Sequence, residues 1–121
     1  MSGRQPPELA EFVRLFNAGR YFESHEVLEE VWNLNRSNRF YKALIQMAGA
    51  LHHWEEASYF WAESLFRGAA DLLEPYRPRH AGLEVDGLIQ LLRTCADIAR
   101  AKRRDRDGEY KLPPLVLTLE R

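Results

Sequence analysis

Cysteine occurs once in this chain, at Cys95, which excludes an internal disulfide and a cysteine-rich metal site. Neither sign of charge dominates: 17 basic and 18 acidic side chains leave a net charge of −1, so nucleic acid is not an expected partner. No unbroken 18-residue apolar run is present, which argues against a membrane span or membrane partner. The opening residues Met1-Ser2-Gly3-Arg4-Gln5-Pro6-Pro7 lack the apolar stretch of a signal peptide, and the expected location is cytoplasmic. There is no glycine-rich nucleotide loop, no serine-hydrolase elbow, no internal repeat and no low-complexity segment.

Glycine and proline are scarce where it matters. Between Arg20 and Ala48 there is neither, and from Arg20 to Glu74 the only glycines are Gly49 and Gly68. Breaker-free stretches rich in Leu, Ala, Glu and Arg predict helices. The 12% aromatic content excludes disorder, and 121 residues suit one domain over 1–121. The expected fold is all-α, a bundle of about five helices with a central antiparallel hairpin and an extended C-terminal tail.

A first helix starts at Pro7 with Leu9, Phe12, Val13 and Phe16 on one face, and Gly19 serves as its C-terminal cap. The second covers 21–34, followed by turn chemistry at Asn33, Asn35, Ser37 and Asn38. The third runs over 38–54, and a turn near 55–58 with Ser58 as N-cap separates it from a fourth that stops before Pro75. A loop over 76–85 leads to a last helix over 86–106, with Asp86 as N-cap and Leu88, Leu91, Leu92, Cys95 and Ile98 on its buried face. The apolar tail over 111–121 either folds back on its own bundle or docks on another subunit.

The second helix carries polar residues on what reads as its apolar side. With Tyr21 at zero on a wheel of about 100° per residue, Leu28, Trp32 and Phe22 mark a core arc, and His25 and Glu29 fall inside it near about 40° and 80°. A buried carboxylate needs a partner, and His25 lies one turn before Glu29 on the same side. On the third helix Lys42, Gln46, Gly49 and His53 form a single stripe. Gly49 costs roughly 1 kcal/mol relative to Ala inside a helix, which suggests close approach of a neighbour. Packed as a hairpin, the two helices bring His25, Glu29, Gln46 and His53 into one dry pocket, with the Trp32 N–H able to close it.

Two blocks here resemble a known family. The run Phe16-Asn17-Ala18-Gly19-Arg20-Tyr21-Phe22-Glu23-Ser24-His25-Glu26-Val27-Leu28-Glu29-Glu30-Val31-Trp32 and the later Leu44-Ile45-Gln46-Met47-Ala48-Gly49-Ala50-Leu51-His52-His53 are similar to the signature of the uncharacterised family catalogued as domain of unknown function 309. The likeness covers about residues 10–75 and carries His25, Glu26, Glu29, Trp32, Gln46 and His53. It implies a small all-helical protein and no established reaction, although some catalogues label the family a metal-dependent hydrolase. The chain departs from the pattern after the histidines, where Trp54-Glu55-Glu56-Ala57-Ser58 stands in place of the usual Gly-Asn turn.

Two readings of the cluster follow. In one, His25, Glu29 and His53 ligate zinc or another divalent ion and Glu26 is the general base that deprotonates a bound water. The spacing is neither that of the zinc proteases nor that of the di-metal bundles, so this reading rests on residue types. In the other, the cluster is a hydrogen-bonded network that sets helix register in a non-enzymatic interaction module. Tyr59, Phe60 and Trp61 cannot all face inward, and with the apolar tail they mark a surface for a homo-oligomer.

Overall fold

Pro7 opens the first helix, where its missing N–H costs nothing, and Gly19 closes it at φ 79°, a left-handed position that a side chain would strain. The computed structural model describes residues 6–120, so the reading of Met1–Gln5 lies outside the described residues. Five helices follow in order: α1 (Pro7–Asn17), α2 (Tyr21–Trp32), α3 (Arg39–Glu55), α4 (Tyr59–Leu73) and α5 (Val85–Arg104). None of them is long and apolar enough to cross a membrane.

The boundaries have local causes. Asn38 caps α3 by accepting the Tyr41 N–H at 3.0 Å. Ser58 stands at the N-cap of α4 but makes no side-chain cap bond. The turn before it is made instead by Ala57 at φ 59°, so an alanine occupies the left-handed position that suits Gly or Asn. The loop over 76–85 contains more order than expected: a 3₁₀ turn at Glu74–Tyr76 and a small antiparallel hairpin of β1 (Arg79–His80) and β2 (Leu83–Glu84). Asp86 is not the cap of α5. Glu84 fills that role, accepting the Gly87 N–H at 3.0 Å, because the helix starts one residue before Asp86, which pairs with Arg77 at 2.6 Å instead.

Consecutive helices pack antiparallel. Phe22 near the start of α2 meets His52 near the end of α3, with ring centroids 5.4 Å apart. Across α3 and α4, a side-chain Cβ at Gly68 would sit 2.5 Å from Gln46 Oε1, and one at Gly49 would sit 3.5 Å from Leu65 Cδ1. Glu63 of α4 binds Arg103 of α5 while Arg67 reaches Asp97. The end of α1, the start of α2, the end of α3, the start of α4 and the end of α5 therefore share one end of the bundle.

The core lies between these helices, with Phe12, Phe16, Leu28, Leu44, Met47, Phe66, Leu73 and Leu92 fully buried. Each such side chain contributes about 1.5–3 kcal/mol through removal from water. Cys95 is among them, and burial pushes its thiol up to about 12, as expected of a packing residue. The tail is extended and lies on its own bundle. Leu115 and Leu117 are buried while Val116 and Thr118 face outward, the two-residue alternation of a strand.

Candidate functional site

The α2 stripe assembles in part. His25 Nε2 lies 3.3 Å from Glu29 Oε2, one turn apart, as the spacing predicts. The surroundings are wetter than expected. The Glu29 side chain is 46% exposed, His25 is 25% exposed, and Glu26 points to solvent. The cause is a rotation of the buried arc. Ser24 and Leu28 are the fully buried residues of α2, with Tyr21, Val31 and Trp32 partly covered beside them. Phe22, taken from the sequence as part of the core arc, is 51% exposed. Moving the arc toward Ser24 leaves His25 at its edge and Glu29 beyond it. Ser24 tolerates burial because its hydroxyl donates to the Tyr21 carbonyl at 2.8 Å, a bond available inside any helix.

Gln46 and His53 do not complete a closed pocket with this pair. The Gln46 amide lies over Gly68 of α4, and the same antiparallel register sets His53 level with Trp61. The histidine that α3 turns toward α2 is His52, whose ring packs on Phe22. Phe22 in turn packs on His25 at 5.7 Å. His52 was missed because the Gln46–Gly49–His53 stripe was read as the α2-facing side, whereas it looks toward α4. The glycine under pressure is also a different one: Gly68 has Gln46 against it, while Gly49 has ordinary clearance.

Trp32 sits at the end of the stripe with the Arg36 guanidinium 5.3 Å from its ring centre. Its indole N–H and the His25 Nδ1 are buried without a hydrogen-bond partner among the described residues. They are two residues of one motif face with unused bonding capacity. Near Phe22, burial and the neighbouring charge of Glu55 raise the Tyr21 hydroxyl above its ordinary value.

A divalent ion does not fit this arrangement. Among the described residues no group of three or more His, Cys, Asp or Glu side chains is placed to hold a metal. Among the described residues His25, Glu29 and His53 are thus not gathered as a ligand set. A metal site orients its ligands through a surrounding shell of partners, and among the described residues Glu29, half in water, pairs with His25 alone.

Among proteins of known sequence, a 58-residue stretch is 36% identical to an uncharacterized protein of Aquifex aeolicus (strain VF5). That stretch covers 46% of this chain and 17% of the relative, which is therefore far longer than the matched region. No solved structure matches the chain. Residues 9–65 match the sequence profile of a domain of unknown function, DUF309. The match starts one residue before the resemblance drawn from the sequence blocks and ends ten residues short of it. It takes in α1, α2, α3 and the first turns of α4, with every residue of the polar stripe, and over that segment, just under half of the chain, the sequence is similar to the DUF309 family.

Proposed function

We propose that this chain is a non-enzymatic helical interaction module that pairs with a second copy of itself through the end of the bundle where α2 and α4 begin. One observation carries the reading. Phe22, Phe60 and Trp61 are each more than half exposed, and all three belong to that end. Large rings left in water at one end of a small protein mark an interaction surface. The charges around it suit a like partner. Lys102, Arg106 and Lys111 alternate with Glu55, Asp107 and Glu109, so a second copy meets both signs and no net repulsion. A relative in which the matched stretch is a small part of a long chain is in keeping with a module that other proteins carry.

The test is molar mass in solution by light scattering over a range of concentrations. The expected result is a dimer for the natural chain and a monomer for Phe60→Ser/Trp61→Ser with unchanged helical circular dichroism. A natural chain that stays monomeric at the highest concentration overturns the reading.

The metal-dependent hydrolase that the family resemblance implies keeps one support, the 3.3 Å contact between His25 and Glu29. It requires a third donor to join that pair. Stoichiometric metal in protein purified without chelator, lost in His25→Ala/His53→Ala, would establish it over the interaction module.

A further inference from the structure

Residues 112–120 are the one long extended segment of the described chain, and the way they are held is specific to main chain. The Asn17 side chain reads Leu117 as a neighbouring strand would. Its Nδ2 donates to the Leu117 carbonyl at 2.8 Å and its Oδ1 accepts the Leu117 N–H at 2.9 Å. One side-chain amide thus reproduces the paired bonds of a sheet ladder. Further along, the Glu120 N–H donates to the Gly82 carbonyl at 2.8 Å. Leu117 itself, and Leu115 two residues before it, enter the core.

Open space lines the segment on two sides. A cavity of about 320 Å³ separates residues 110–115 from Tyr21, Leu51 and Trp54. A second, of about 520 Å³, runs between residues 116–120 and the first half of α5, beside Leu88 and Leu91. The strap is fastened at Asn17 and again at the 79–84 hairpin, where Arg79 pairs with Glu120, and a segment held outside the helices with open space on its flanks opens ahead of them. The two halves of the contact also differ in provenance. Asn17 lies inside the segment matched to the family, and the tail lies outside it.

We infer that the groove under the tail is a peptide site, with residues 112–120 as its built-in occupant, and that it accepts an extended segment of a partner protein bearing two leucines two residues apart. The occupant defines the chemistry: alternate aliphatic side chains for the two sockets, and on the second leucine a backbone N–H and C=O for Asn17 to grip. The partner segment displaces the tail, so its apparent affinity is reduced by the fraction of time the tail is seated.

The test uses the full chain and a fluorescent peptide with the sequence of residues 112–120, followed by anisotropy. In Leu115→Asp/Leu117→Asp the resident tail no longer competes, and the peptide is expected to bind about tenfold or more tighter than to the natural chain. Adding Asn17→Ala to that variant is expected to weaken binding by about tenfold through loss of two hydrogen bonds. No binding by a variant that keeps its helical signal overturns the inference. So does an assembly of the natural chain that Leu115→Asp/Leu117→Asp breaks and Phe60→Ser/Trp61→Ser leaves intact, since the tail then passes between copies. Should the variant lose its helices, hydrogen exchange on the natural chain decides. A Leu117 amide that exchanges well ahead of α3 amides supports a detachable strap, and one that exchanges only with global unfolding overturns it.

Discussion

Helices α2 and α3 are neighbours that both carry aromatic residues near their two ends, yet they play opposite parts. Of the 17 residues in α3, eight are buried, and of the 12 in α2 only Ser24 and Leu28 are. The difference follows from position. α3 lies between α2 and the long α4, while α2 packs against α3 and the short α1 and leaves much of its surface to water. A polar residue on α3 must therefore find room beside another helix, as Gln46 does over Gly68. A polar residue on α2 can stay half-wet at the edge of the core, as His25 and Glu29 do. The His25–Glu29 pair sits on the wetter helix, at the edge of the core.

The contrast can be broken at several points. Leu44→Ala in α3 removes a fully buried side chain and should lower the unfolding free energy by about 3 kcal/mol, read from the denaturant midpoint at unchanged slope. Next comes an inner carboxylate. Glu63 is 12% exposed, and although burial alone would raise its carboxyl, hydrogen bonds from Arg103 and Arg67 outweigh this and hold it below the ordinary value of 4.5. Glu63→Gln should cost about 2 kcal/mol at neutral pH. Because the folded-state value is lowered, the stabilisation is present above the ordinary carboxylate value and disappears as pH falls through the folded one. Thermal melts of the two proteins should therefore converge in acid, and a gap that is constant down to strong acid would remove Glu63 as its source.

Smaller effects test the turns and the close approaches. Ala57→Gly relieves a left-handed alanine and should stabilise by about 1 kcal/mol, visible as a higher melting temperature. Gly49→Ala should stabilise by about 0.5–1 kcal/mol, since the new methyl meets Leu65 at an ordinary distance. Gly68→Ala should lack that gain until Gln46→Ala removes the amide lying over it, a coupling that a double-mutant cycle measures directly. Smallest of all is Glu29→Gln. A half-exposed pair is worth less than about 0.5 kcal/mol, whereas breaking a dry one would cost about 3–5 kcal/mol. Chemical denaturation separates these outcomes and measures how wet the motif is.

Much of the architecture was legible beforehand. Pro7, Gly19 and Asn38 mark helix ends by backbone chemistry that acts within a turn or two, and each stands where the structure ends or starts a helix. Pro75 likewise follows the end of α4. The 79–84 hairpin was not legible, because two-residue strands carry no periodic signal. The cap of α5 was misplaced by two residues because Asp86 and Glu84 are both acceptable acceptors, and the choice is made by where the hairpin delivers the chain. The site was legible as a set of residues and not as a place. Spacing put His25 beside Glu29, but the width of the core arc on α2 could not be read from a wheel on which Phe22 counts as buried.

Along one chain, periodicity, caps and breakers act between residues a few positions apart, and that short range is why five helices and an extended tail could be named from the residues. Which face of α3 meets α2 and which meets α4, how far water reaches toward Glu29, and that Asn17 grips Leu117 a hundred residues later are outcomes of packing. They depend on the rotation of whole helices about their axes, a quantity set by the sum of many distant contacts.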